Sequence, residues 1–149
     1  MIAEEVTLSQ EEWLNVGENT KRLLFKNSPI KTCLDKSLIN ISKVQKEFSI
    51  KQKELLFKYA KLDENGNIQT KVPGKDKNNL EDVLFKDEKS FKEELDKILS
   101  ESINLKVYKV DGNLEYPYNG AIIKLSTYLE ICTDIPAVDC LFLLEYYIK

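Results

Sequence analysis

Apolar residues follow a helical period from the first turn signal onward. Ser9 and Glu12 are spaced as a capping box, in which the serine hydroxyl and the glutamate carboxylate exchange bonds with each other's backbone amides. Leu8 and Trp13 occupy the flanking positions of a hydrophobic staple. Trp13, Val16, Thr20, Leu23 and Leu24 then share one helical face, interrupted by Gly17. Trp13 is open to two readings, a staple and core residue or an interface anchor.

A longer pattern follows. Ser28-Pro29 reads as a helix cap with proline at the first position, where its missing amide costs nothing. Leu34, Leu38, Ile41, Gln45, Phe48, Gln52, Leu55, Tyr59 and Leu62 alternate by four and three, the spacing of a heptad seam. Residues 30–62 contain neither glycine nor proline, which predicts a helix roughly 50 Å long at 1.5 Å per residue. Gln45 and Gln52 on the seam either set register and partner choice or mark a partly exposed stretch. Asp63-Glu64-Asn65-Gly66-Asn67 supplies the stop.

The second half is more broken. Residues 68–72 fit a short strand and 75–79 a polar loop. Asn79 opens a short helix bearing Leu80, Val83 and Leu84, and Asp87 caps another bearing Phe91, Leu95, Ile98 and Leu99. At Ile103 the period drops to two, with Leu105 and Val107 following. Asp111-Gly112 suits a hairpin turn, and the return arm holds Leu114, Tyr116 and Tyr118, with Pro117 marking a sheet edge. Ile122, Leu125, Leu129 and Cys132 give a helical stripe, and Val138, Leu141, Phe142 and Tyr146 give a last one after Pro136.

The predicted fold class is mainly α with a minor β part. It is a long antiparallel helical hairpin, formed by residues 30–62 and the Phe91 helix, with short helices and a small C-terminal β-hairpin. Residues 1–149 are expected to form a single domain. Its subdomains are 1–102, the helical hairpin, and 103–149, the β-hairpin plus two helices. The Phe91 helix is shorter than its partner, so the seam near Ile30, Leu34 and Leu38 lies beyond its reach. The Trp13 helix and the C-terminal helices are available to cover it; left bare, these three residues are a candidate protein interface.

Composition narrows the chemistry. Net charge is −3 with acids and bases mixed, and Arg22 is the only arginine. That offers little field or bidentate recognition for nucleic acid. Histidine is absent, which excludes Ser-His-Asp and Cys-His nucleophiles and the common histidine-bearing metal centres. Cys33, Cys132 and Cys140 lack the spacing of a zinc site and read as small buried hydrophobes, with a single reactive thiol as the alternative. The five glycines are scattered and frame no phosphate loop. No catalytic residue, cofactor or metal is expected. The acidic stretch Met1-Ile2-Ala3-Glu4-Glu5 predicts no signal peptide. The most apolar stretch, 135–148, is about 14 residues against the ~20 of a membrane span, so no membrane association is expected.

Residues 53–67, Lys-Glu-Leu-Leu-Phe-Lys-Tyr-Ala-Lys-Leu-Asp-Glu-Asn-Gly-Asn, carry a resemblance. With the helix Phe91…Glu94-Leu95…Ile98-Leu99 and the extended Ile103-Asn104-Leu105, they resemble small uncharacterised helical-hairpin proteins encoded among the structural genes of tailed bacteriophages. The likeness spans residues 34–107, and the lysine, asparagine and isoleucine content fits an AT-rich genome. It implies a bacteriophage virion or assembly component, or a small phage effector that binds a host protein. It carries over no catalytic residues.

The expected function is therefore a non-catalytic protein-binding protein, with a phage or host protein as partner and homo-oligomerisation open. Its expected place is the host cytoplasm or the virion. Two alternatives stand beside it. One is an enzyme using a carboxylate or cysteine site, and the other a nucleic-acid binder using lysines 43, 46, 51, 53, 58 and 61, a stripe diluted by Glu47 and Glu54.

Overall fold

Strand β1 (Ile2–Ser9) runs directly into helix α1 (Gln10–Leu24), and the two are joined by the capping box read from the sequence. Ser9 N–H donates to Glu12 Oε1 and Glu12 N–H to Ser9 Oγ, both at 3.2 Å. The computed structural model describes residues 1–24, 30–72, 74–77 and 79–149. The expected Ser28-Pro29 cap lies outside the described residues. Helix α2 (Lys31–Tyr59) follows, then α3 (Glu88–Leu99), β2 (Ser102–Lys109), β3 (Glu115–Tyr118), β4 (Ala121–Lys124), α4 (Leu125–Ile131) and α5 (Ala137–Tyr146).

The fold is α+β, and its antiparallel helix pair is α1–α2. This corrects the expected hairpin, in which the Phe91 helix was the main partner of the long helix. Gly17 shows why α1 takes that place. A Cβ there would meet the Gln45 amide and, at 2.9 Å, Ile41 Cγ2, so Gly17 lets α1 lie close against α2 with the Gln45 side chain seated over it. Helix α3 instead covers the last turns of α2. There Leu55, Leu56, Ala60, Val83 and Phe91 form a second, smaller apolar cluster. Tyr59 Oη donates to Glu94 Oε1 at 2.7 Å across that contact.

The β pairing also differs from expectation. β2 pairs antiparallel with β1, Val6 opposite Leu105 and Leu8 opposite Ile103, so the sheet bridges the subdomain boundary expected near Ser102. The inward face carries Val6, Leu8, Ile103, Leu105 and Val107 against the main core. β2's outer edge faces α2. Ser37 Oγ accepts from Tyr108 N–H at 2.8 Å, and Asn40 Nδ2 donates to Lys106 C=O at 2.9 Å. Helix side chains thus satisfy backbone groups that an edge strand would otherwise expose.

The predicted hairpin arm around Tyr116 and Tyr118 belongs to a separate two-stranded sheet, β3–β4. Its turn is Asn119-Gly120, both at positive φ (50° and 78°), the backbone that a two-residue hairpin demands. Asp111-Gly112 makes a local turn instead, with Asp111 Oδ1 accepting from Asn113 N–H at 2.9 Å. Tyr116 and Tyr118 pack on Tyr128 of α4, at 4.3 and 5.3 Å between ring centroids.

Smaller departures concern segment ends. The long helix stops at Tyr59, Asn79 opens only a single 3₁₀ turn, and residues 68–72 make isolated bridges in place of a strand. Asp87 caps α3 as its position predicts, accepting from Ser90 N–H at 3.1 Å. Val138 and Leu141, read as part of a packed stripe, lie on the outside of α5 at 69% and 66% exposure.

Two long-range polar contacts tie the C-terminal segment to α1. Arg22, half exposed, donates through both terminal nitrogens to the buried Asp139 carboxylate, at 2.5 and 3.1 Å. Tyr147 is fully buried, with its hydroxyl 2.6 Å from Thr20 Oγ1. Thr20 spends its one hydrogen on Val16 C=O, so Tyr147 is the donor. Burial pushes the Tyr147 hydroxyl up to about 12. Folding therefore favours the protonated form. Its contribution is intact below pH ~10, the unfolded value, and about 2–3 kcal/mol is lost between pH ~10 and ~12. Urea unfolding at stepped alkaline pH should show this fall, and Tyr147→Phe should flatten it. An equal fall in the variant would exclude Tyr147 as its source.

Candidate protein-binding face

Helix α2 has an inner and an outer seam. The inner one is the heptad read from the sequence, with Leu34, Ile41, Phe48 and Leu55 all buried. Ile30 and Leu34 sit in the main core at 1% and 0% exposure, and Leu38 is half-buried. The proposed stripe of Ile30, Leu34 and Leu38 is therefore not free for another chain. The core that encloses Ile30 and Leu34 also holds Trp13, Val16 and Leu23 of α1 and Leu143 and Tyr147 near the C-terminus, so the Trp13 helix and the C-terminal segment cover the end of α2 that the Phe91 helix does not reach.

The outer seam was missed. Ile39, Ile50 and Phe57 are 61%, 51% and 41% exposed. At ~3.6 residues per turn, Ile50 follows Ile39 by about three turns and Phe57 by about five, so all three share one azimuth. Lys43, Lys46 and Lys53 fill the intervening positions of the same four-three alternation, and all are exposed. The signal was present in the spacing, but the stronger leucine-rich seam drew the assignment.

Charge on this face is mainly basic, with exposed Glu47 and Glu54 along its border. Lys31, Lys51 and Lys58 pair with Asp35, Glu101 and Glu94 at 3.3–3.6 Å. Among the described residues, Lys43, Lys46 and Lys53 make no ion pair, although exposed Glu54 borders the stripe. At its C-terminal end the stripe opens into a groove of about 380 Å³ lined by Lys53, Leu56, Phe57, Ile68, Lys77 and Leu80. The result is an apolar line on a basic ground with a recess at one end.

Groups with other chemistry do not converge here. Among the described residues no cluster of three or more cysteine, aspartate or glutamate side chains is placed to hold a metal ion. No described helix is long and apolar enough to cross a membrane. The most shifted tyrosine, Tyr128, is held up by burial and by its bond to Asp134 at 3.1 Å inside an aromatic cluster. That is a packing role. The chain matches no protein-family model, no curated protein and no solved structure.

Proposed function

We propose that the chain is a non-catalytic protein-binding component that receives an acidic amphipathic helix on the outer face of α2. The observation that carries this reading is the alignment of exposed Ile39, Ile50 and Phe57 between three unpaired lysines. Large apolar side chains in line on a solvent face mark an interaction surface. The lysines favour carboxylates on the partner and disfavour a second copy, which would set lysine against lysine. Apolar side chains between the lysines also distinguish this face from a phosphate-tracking stripe. The resemblance of residues 34–107 to proteins of tailed-phage structural gene clusters supports a virion or assembly role, or a phage effector directed at a host protein.

The test titrates the full chain with a synthetic helical peptide carrying leucine and glutamate along one face. Binding should weaken about ten-fold or more, at least ~1.4 kcal/mol, in the double variant Ile50→Glu, Phe57→Glu. The variant should keep its melting temperature, since both side chains are exposed. A lysine-faced peptide should not bind. Equal binding of both peptides, or tighter binding of duplex DNA at ~0.15 M salt, overturns the reading. A homodimer abolished by the same substitutions replaces the partner with a second copy.

A further inference from the structure

The chain's three cysteines show no C-x-x-C spacing, yet the fold brings two of them together. Helix α4 ends where Cys132 N–H donates to Tyr128 C=O at 2.8 Å. After a short turn Pro136 starts α5, and Cys140 N–H donates back to Pro136 C=O at 3.1 Å. This places Cys132 Sγ and Cys140 Sγ 3.5 Å apart. A disulfide spans about 2.05 Å, so closing the gap takes a movement of about 1.5 Å at a connection between two helices. Cys132 is partly open to solvent, Cys140 is 4% exposed, and Cys33 is buried at the start of α2.

We infer that Cys132 and Cys140 are a redox-active dithiol, a modification site whose co-reactant is a small-molecule disulfide of the glutathione type. The accessible Cys132 acts first. Its thiolate attacks one sulfur of glutathione disulfide, the S–S bond breaks, and one glutathione leaves and takes up a proton. Cys140 then gives its proton to solvent and attacks Cys132 Sγ, expelling the second glutathione. The protein loses two electrons and two protons, and the co-reactant is reduced to two thiols. Burial and the neighbouring Cys132 push the Cys140 thiol up to about 11. That suits a resolving thiol held against its target better than a first nucleophile. The bond would fasten the end of α4 to the first turns of α5, beside Asp139 and its clamp on Arg22. The outer side of that corner carries exposed Ile131 and Val138.

The test oxidises the folded full chain with glutathione disulfide, alkylates it under denaturing conditions and digests it with trypsin. No lysine or arginine separates Leu125 from Ile148, so one peptide carries both cysteines. It should appear without alkyl groups and lighter by two hydrogens, while Cys33 is alkylated. Cys140→Ser should stop with one glutathione on Cys132, and Cys132→Ser should react about ten-fold more slowly or not at all. Three results overturn the inference. They are a wild-type Cys132 adduct that never closes, Cys33 reacting as fast as Cys132, and oxidation only after unfolding in urea.

Discussion

Leu34→Lys abolishes the cooperative folded state, whereas Ile50→Lys on the opposite side of the same helix leaves the thermal midpoint nearly unchanged. Leu34 is fully enclosed by the main core, among residues of α1, α2 and the C-terminal segment. Truncating a buried leucine alone costs about 2–5 kcal/mol. Placing an ammonium there adds several kcal/mol more, because a charge enclosed by apolar side chains loses its hydration. The sum is comparable to the ~5–15 kcal/mol that stabilises a whole domain. Ile50 is 51% exposed, and substitutions at such positions stay within ~0.5 kcal/mol. Far-UV circular dichroism during thermal and urea titrations reads both. A Leu34→Lys variant that melts cooperatively at the wild-type midpoint would mean that this seam is not core.

That contrast also marks what was legible in the sequence. Heptad spacing placed Leu34, Ile41, Phe48 and Leu55 of α2 in the core, because a leucine-rich stripe with uninterrupted helix formers admits one local structure. Leu38, Gln45, Gln52 and Tyr59 of the same seam are only half-buried. For the first turns of α2 the spacing left the Trp13 helix and the C-terminal helices open as covers, and the core uses both. What it missed is β1. Ile2, Val6 and Leu8 alternate inward with Glu4 among them, and the acidic start masks the period of two. Glu4 is tolerated on that face because Lys109 of β2 lies 3.4 Å from it. Such a cross-strand pair becomes visible only once the register is known. Without β1, the strand at 102–109 had no partner except the next segment downstream, and the Asp111-Gly112 dipeptide appeared to confirm that pairing. Local turn chemistry could not decide between Asp111-Gly112 and Asn119-Gly120, and tertiary pairing did.

The outer seam of α2 and the Cys132–Cys140 pair were hidden for different reasons. Ile39, Ile50 and Phe57 are spaced as regularly as the inner leucines, but alternation alone does not say which of two seams faces solvent. Lysines interleaved with isoleucine and phenylalanine are the feature that separates them. The cysteines are brought together by a turn around Pro136, a contact set by how α5 folds back on α4 and not by their spacing.

Trp13 is where local signals and tertiary structure agree, and its removal should be among the most damaging single truncations. The capping box fixes the start of α1, Leu8 and Trp13 share the main core cluster, and the indole is 1% exposed. Its Nε1–H donates to Ile103 C=O at 2.9 Å, joining the first helix to a strand ninety residues away. Trp13→Ala therefore removes core volume and a helix-to-strand bond together, and should cost about 3–5 kcal/mol. Trp13→Phe keeps most of the apolar area and deletes the donor, so its cost should be smaller, about 1–3 kcal/mol. Had Trp13 been an exposed anchor for a partner, alanine would spare stability and weaken only association. Urea denaturation of the two variants beside the wild type, followed by circular dichroism, separates these cases. A wild-type midpoint for Trp13→Ala would place the indole outside the core, and equal losses for both variants would assign the whole effect to the bond with Ile103.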